Sequence, residues 1–500
     1  MWSSFTYHEP PTSSLLILTS WLYLLNLFGW LSQHILSAQL LGQILVGIIF
    51  GAPLAGWLEE SWEEAFVTLG YVGLLLIVFE GKLIAYPFCA TRTSLTGILV
   101  PIGLSFVLIP LASFPPLNAF AAGAALSSTS LGTSLSVLNP SAIGFDLRQT
   151  RLGTVLLSAA VMDDVVAFVL ASILRVIGDN DNTGGSEIGK NVGRTIGVTI
   201  GLGIVLIPVT RFVLLPIHTR FKRTTRWRTA SWGGEPILVG FMVCMFVGMI
   251  AAAGYAGTSP LFGAYIAGLA CAYIGDAEED TRPTNLASID RNTEVEVMGA
   301  TSNPLTRYYT FPGAGAAPFH PDNLLVRRGS TSSTATSGRV NLVKLTTPTL
   351  RSAFSNYLTP LLEYLLIPIF FGSIGYSIPF VPLWRGSIIW RGIIYAILMM
   401  IGKVLCGMWI ILWTSGRERM ISPGKASWKG AAFLGAAMIA RGEIGLLISQ
   451  IAYNTTTPLL TENEFLIVNW GIIICTIVGP LGVGWMVKRW RVSVSDGGWH

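Results

Sequence analysis

The sequence predicts an all-α polytopic membrane protein with about thirteen transmembrane helices. Three observations carry that prediction. Of the 500 residues, 52% are hydrophobic and only 12% are charged. A soluble globular chain carries about 25% charged residues, so this one has too little polar surface to coat itself in water. Apolar runs of about 20 residues, enough to cross a hydrocarbon core of ~30 Å, recur along the chain. The runs also lack the alternation that a closed barrel requires, so the backbone must satisfy its polar groups within helices.

Spans are expected at Ser14–Leu36, Leu40–Leu58, Ala65–Ile84, Ser94–Phe114, Leu117–Leu138, Leu152–Ile177, Val192–Ile217, Pro236–Ala253 and Ser259–Gly275. Four more follow at Phe354–Ile378, Ile388–Trp413, Trp428–Ala452 and Phe465–Val487. Residues 1–275 therefore hold spans one to nine, and residues 352–487 hold spans ten to thirteen. Between them, residues 276–351 are rich in Ser, Thr, Gly, Pro and Asn and read as a disordered cytosolic loop. That loop is either a tolerated insertion or a phosphorylation-controlled element, and the residues do not choose between the two. Residues 488–500 form a short cytosolic tail. The first apolar run lacks a basic lead-in and reads as a span rather than a cleaved leader.

Orientation follows from basic residues in the loops. With the N-terminus outside or lumenal, inward loops hold Lys82, Arg92, Arg148, Arg151 and the run Arg220, Lys222, Arg223, Arg226, Arg228. They also hold Arg417, Arg419, Lys425, Lys429, Lys488, Arg489 and Arg491. Outward loops hold only Lys190, Arg194, Arg385 and Arg391, besides an acidic cluster (Glu59, Glu60, Glu63, Glu64) and the sequon Asn454-Thr455-Thr456. The C-terminus is then cytosolic, in a plasma membrane or endomembrane. A net charge of +5, confined to loops, gives no reason to expect nucleic acid. The five cysteines have no paired spacing and read as small buried hydrophobes.

Few ionisable side chains fall inside spans, where a central charge costs about 2.5–3.5 kcal/mol on insertion scales. They are Glu80, Asp163, Asp164, Arg175, Lys403, Arg441 and Glu443. Arg175 lies near a span end and can snorkel. Asp163 and Asp164 sit mid-span in SAAVMDDVVAFVL. Neighbours on a helix point about 100° apart, so the two carboxylates cannot share one partner equally. One can face another helix while the other faces a cavity. Two adjacent acids cannot both ionise cheaply, so a cavity-facing carboxylate can trade a proton for a cation. Lys403, mid-span in LMMIGKVLCGMW, needs an anion, and one of the two aspartates is the obvious partner. Glu80 and Arg441 are expected to form a second ion pair, with Glu443 beside it, in a structural role.

Two spans are expected to be broken. FAAGAALSSTSLGTSLSVL and GAAFLGAAMIARGEIGLLI place small and polar residues in their middles. Such residues permit an unwound stretch that lines a cavity, with half-helix dipoles aimed at the midplane. Paired interrupted segments point to an inverted-repeat transporter with its site at their crossing.

The segments GQILVGIIFG, GAALSSTSLGTSLSVL, RLGTVLLSAAVMDDVV, IPIFFGSIG, IGKVL and RGEIG occur in the order of one family. On them the chain resembles the monovalent cation:proton antiporter-2 family of the sodium/hydrogen exchanger superfamily, from about Leu40 to Val487. The resemblance implies a homodimer with a dimerisation domain and a mobile core domain, serving pH homeostasis. It implies that Asp164 binds and releases the transported Na⁺ and the proton, and that Asp163 pairs with Lys403. Thr129 matches a threonine at the helix break. Ser130 stands where some relatives have an aspartate that balances the broken-helix dipoles, so the compensation differs here. The Asp-Asp pair resembles electrogenic members, which move two protons per sodium, while electroneutral relatives carry Asn-Asp. Sodium is the expected cation, with potassium the alternative. No cofactor is called for, and the partners are the cation, the proton and membrane lipid.

Other classes fit less well. A channel needs a continuous selectivity filter, such as a ring of carbonyls from a repeated loop, and no such repeat is visible. An intramembrane aspartyl protease needs its aspartates on separate helices. A non-transporting sensor would not require the intact Asp163, Asp164 and Lys403 set.

Overall fold

The computed structural model describes residues 9–36, 38–80, 87–130, 151–179, 185–224, 235–280, 349–417 and 427–495. Every regular element among them is helical. The first helices are α1 (Thr12–Leu36), α2 (Gln39–Phe50), α3 (Glu60–Phe79), α4 (Pro87–Ser105), α5 (Pro116–Ala125) and α6 (Arg151–Asp179). Next come α7 (Gly185–Val209, continuing to Thr224), α8 (Glu235–Ala256) and α9 (Pro260–Asp280). After the 281–348 stretch, α10 runs from Leu350 to Tyr376 through two wide turns. Helix α11 (Gly386–Val404) continues through a tight turn to Arg417. The chain ends in α12 (Ser427–Ala437), α13 (Glu443–Asn454) and α14 (Glu462–Ser495).

Among the described residues, eight helices are long and apolar enough to cross a membrane, and three shorter apolar helices accompany them. Local chemistry sets several ends. Helix α3 opens on Glu60 and Glu63, whose charges suit the positive end of a helix. Helix α5 opens on Pro116, where the missing N–H costs nothing.

The helices pack as two bundles. One contains α1, α2, α3, α9 and the Ile367–Tyr376 part of α10. The other contains α4, α5, α6, α11, α12, α13 and α14. Helix α7 touches both α6 and α9, and α6 also meets α9 directly. The chain thus visits the first bundle, then the second, and repeats that order after α7. Lipid offers no hydrophobic drive between helices, so contact area comes from backbones brought close at small residues. In the first bundle, Gly47 of α2 lies on the carbonyl of Gly372, leaving no room for a Cβ. In the second, Gly407 lies in the same way on the carbonyl of Ala431.

Several boundaries differ from expectation, three of them at the edges of the loop, the tail and the second span. The second span is helical only over Gln39–Phe50, and turns take over at Gly51. Helix α9 runs on to Asp280 and α14 to Ser495, past the expected loop start and tail start, because polar residues end an apolar run without ending a helix. The rest of the 276–351 loop lies outside the described residues, as does the second half of the first broken span.

Candidate functional site

The site forms where two interrupted helices meet. Helix α5 stops at Ala125, and residues 126–130 leave the helix. Helix α12 stops at Ala437, and residues 438–442 are non-helical before α13 begins. The two unwound stretches touch through their backbones, the amide of Ser130 donating to the carbonyl of Ala440 at 2.9 Å. Gly442 packs so close that a Cβ there would stand 2.6 Å from Ser130 Oγ. Small residues at these positions let two backbones cross inside the protein, where unwound chain is tolerated.

Helix α6 crosses this junction with Asp163 near its middle. Asp163 is fully buried. Its Oδ2 accepts from Lys403 Nζ at 2.7 Å and from Thr129 Oγ1 at 2.7 Å. Lys403, also fully buried, donates to Ser127 O at 2.6 Å and to Thr129 Oγ1 at 2.9 Å as well. Three acceptors match the three N–H bonds of an ammonium, so this geometry belongs to a charged lysine. Thr129 accepts from the lysine and donates to the carboxylate, which ties the first break to α6 and α11. The other oxygen, Asp163 Oδ1, is buried with no hydrogen-bond partner among the described residues.

Asp164 looks elsewhere. As a residue it is partly exposed, where its neighbour is sealed, although its Oδ1 atom is buried. It shares a face of α6 with Phe168, one turn on, whose ring lies 6.4 Å from that of Tyr265 on α9. That face is the seam between the two bundles. One carboxylate therefore belongs to the interior of the second bundle, and the other to its boundary with the first.

Arg441 corrects an expectation. Its pairing with Glu80 does not form: Arg441 is fully buried at the second break and donates through Nη1 to the carbonyl of Ser128. Glu80 caps the end of α3 on the exposed surface of the first bundle. The carbonyl takes only Nη1, and Nε and Nη2 are buried with no hydrogen-bond partner among the described residues; composition cannot reveal that choice. The carbonyls of Ser127 and Ser128 follow the C-terminal end of α5, where the helix dipole is negative. Lys403 and Arg441 thus place two cations against that negative end. Thr476 of α14 holds the second break by donating to Arg441 O at 2.9 Å. The side chain of Glu443 lies outside the described residues.

Two contributors carried no sequence signal. Gly97 of α4 covers the ion pair: a Cβ there would lie 3.0 Å from Lys403 Nζ and 3.5 Å from Asp163 Oδ2. Tyr265 reaches the site only because α9 packs on α6.

Three comparisons bear on this arrangement. The family model described as "Sodium/hydrogen exchanger, transmembrane" matches residues 16–290 and 343–489. The Na(+)/H(+)-K(+) antiporter GerN of Bacillus cereus is 30% identical over 164 residues, which cover 31% of this chain and 41% of GerN. The Na(+)/H(+) antiporter NhaS4 of Synechocystis sp. is 30% identical over 189 residues, covering 33% of this chain and 45% of NhaS4. The chain thus matches less than half the length of either curated relative. The solved structure of the sodium proton antiporter MjNhaP1 from Methanocaldococcus jannaschii at pH 8 superposes with a TM-score of 0.55 at 14% identity. It covers 97% of this chain and 99% of that one, a likeness of fold.

Proposed function

Because the chain belongs to the sodium/hydrogen exchanger family, we propose that it exchanges a monovalent cation, sodium in the first instance, for protons. The observation that carries this reading is the division of labour between adjacent carboxylates. Asp163 is neutralised by Lys403 and Thr129, whereas Asp164 sits at the bundle seam. A carboxylate at a seam can meet water and ions from one side and then from the other.

In the cycle, Asp164 loses its proton and takes the cation. The second bundle then moves against the first and carries the site across the membrane. Protonation of Asp164 on the far side releases the cation. Competition of both ions for one carboxylate suffices to couple their fluxes. Asp163 and Lys403 make the exchange electrogenic: a cation that draws Asp163 away from Lys403 lets the amine give up a second proton. Two protons then move against one cation, and net charge crosses the membrane. Glu443, next to Arg441, keeps the structural role the sequence suggests.

The finer assignments are the antiporter-2 branch of the superfamily, a homodimer formed through the first bundle, and an N-terminus outside with a cytosolic C-terminus. The branch rests on the quoted family segments with their Asp-Asp motif, the homodimer on the resemblance they carry, and the orientation on the loop charges. Potassium is the second reading, favoured by the name of GerN, which includes both cations. The test is proton flux in liposomes holding the purified protein, with Na⁺ and K⁺ added separately and the membrane potential clamped or free. The expected result is flux with Na⁺ that changes with potential. Flux with K⁺ alone would replace the cation, and flux indifferent to potential would remove the two-proton stoichiometry.

A further inference from the structure

The bundle seam holds a polar group that the cycle above leaves unused. Tyr265 of α9 is 6% exposed, and its hydroxyl has no hydrogen-bond partner among the described residues. A buried hydroxyl left without a bond is costly, so a partner for it is to be sought. Its ring packs on Phe168 of α6, which lies one turn along that helix from Asp164. The two residues come from opposite sides of the seam, Asp164 from the second bundle and Tyr265 from the first. About three turns along the same face of α6, Arg175 lies within reach of Tyr71 on α3.

Resting on the transport reading, we propose that Tyr265 is a further positioning residue of the site, whose phenolic O–H is donated to Asp164 when that carboxylate is ionised. The first bundle then takes part in the chemistry of the second. A hydrogen bond to the charged form favours it over the protonated form. The tyrosine therefore helps the cation against the proton in their competition for Asp164, and does so only while the seam holds the two side by side. The bond breaks as the bundles move, so the competition shifts with conformation.

Other titratable groups lie on the elements packed around α6. Asp163 and Arg175 share its helix. Lys403 comes from α11 and Arg441 from the break between α12 and α13. Cys271 lies on α9, Lys429 on α12, Lys190 and Arg194 near the start of α7, and Arg92 on α4 against Trp409. None of them changes when Tyr265 loses its hydroxyl.

The variant is Tyr265→Phe, which keeps the ring against Phe168 and removes an oxygen that has no hydrogen-bond partner among the described residues. Proton flux in proteoliposomes is measured against Na⁺ and K⁺ concentration at several pH values. The expected result is a half-saturating cation concentration raised about tenfold near neutral pH, the scale of a lost hydrogen bond to a charge. The maximal rate stays within about twofold, and the pH profile of activity moves to the alkaline side. An unchanged half-saturating concentration and pH profile overturns the inference, as does a fall in maximal rate alone. If the wild-type protein moves no protons with either cation, the transport reading fails and takes this inference with it. Wild-type flux beside an unaltered Tyr265→Phe overturns the inference alone.

Discussion

Asp163 and Asp164 are chemically identical and one peptide apart, yet their surroundings separate them. Asp163 accepts two hydrogen bonds on one oxygen, from Lys403 and Thr129, in a fully buried place. Removing one partner of such a pair strands the other charge in a medium that cannot solvate it. Lys403→Met is therefore expected to lower stability by about 3–5 kcal/mol, read as a drop in the thermal unfolding midpoint of the detergent-solubilised protein. Asp163→Asn is expected to remove the potential dependence of transport while leaving exchange, since the second proton depends on that carboxylate; flux with the potential clamped and free checks it. That Lys403 pairs with one of the two aspartates was legible from the sequence, because an isolated mid-span lysine needs an anion. The choice between the two aspartates came from the family motif, since helical geometry says only that they diverge. The partner of Arg441 was not legible at all. A carbonyl at an unwound helix end is an acceptor that every residue carries, and only the crossing of two chains shows which one is available.

At the scale of elements, the interruptions at residues 126–130 and 438–442 decide where charges go. Both were readable from the sequence, because Ser, Thr and Gly clustered mid-span weaken a helix and shrink its profile. Their contact through Ser130 and Ala440 was not, since register between segments far apart in sequence leaves no local trace. Nor was Gly97, an ordinary mid-span glycine until α4 is laid across Lys403. Close backbone contact gives these elements narrow tolerance. Gly407→Ala would drive a Cβ into the Ala431 carbonyl, and overpacking of this kind costs about 1–3 kcal/mol. The thermal midpoint should fall accordingly. Gly254→Ala, on α8 with nothing near its missing Cβ, should leave the midpoint unchanged.

At the scale of the whole molecule, the seam between bundles is the surface that must change during transport. Composition predicted a membrane protein, and broken spans predicted a midplane site. The division into bundles emerged from packing, because the spanning helices are apolar in both bundles and hydropathy does not say which neighbour each one meets. Phe168 and Tyr265 lie across that seam. Cysteines at these two positions, in a background without the native cysteines, should be joined by a short thiol-reactive crosslinker. Flux should then stop and return when a reducible linker is cleaved; flux that persists in crosslinked protein would mean the bundles need not move.

The central claim is that Asp164 is the carboxylate for which cation and proton compete. The most direct test compares cation-driven proton movement in liposomes for the wild type and Asp164→Asn, both shown to be folded. The account predicts flux in the wild type and none in Asp164→Asn at any pH or cation concentration. Flux retained in Asp164→Asn would contradict it and move the exchange to another residue.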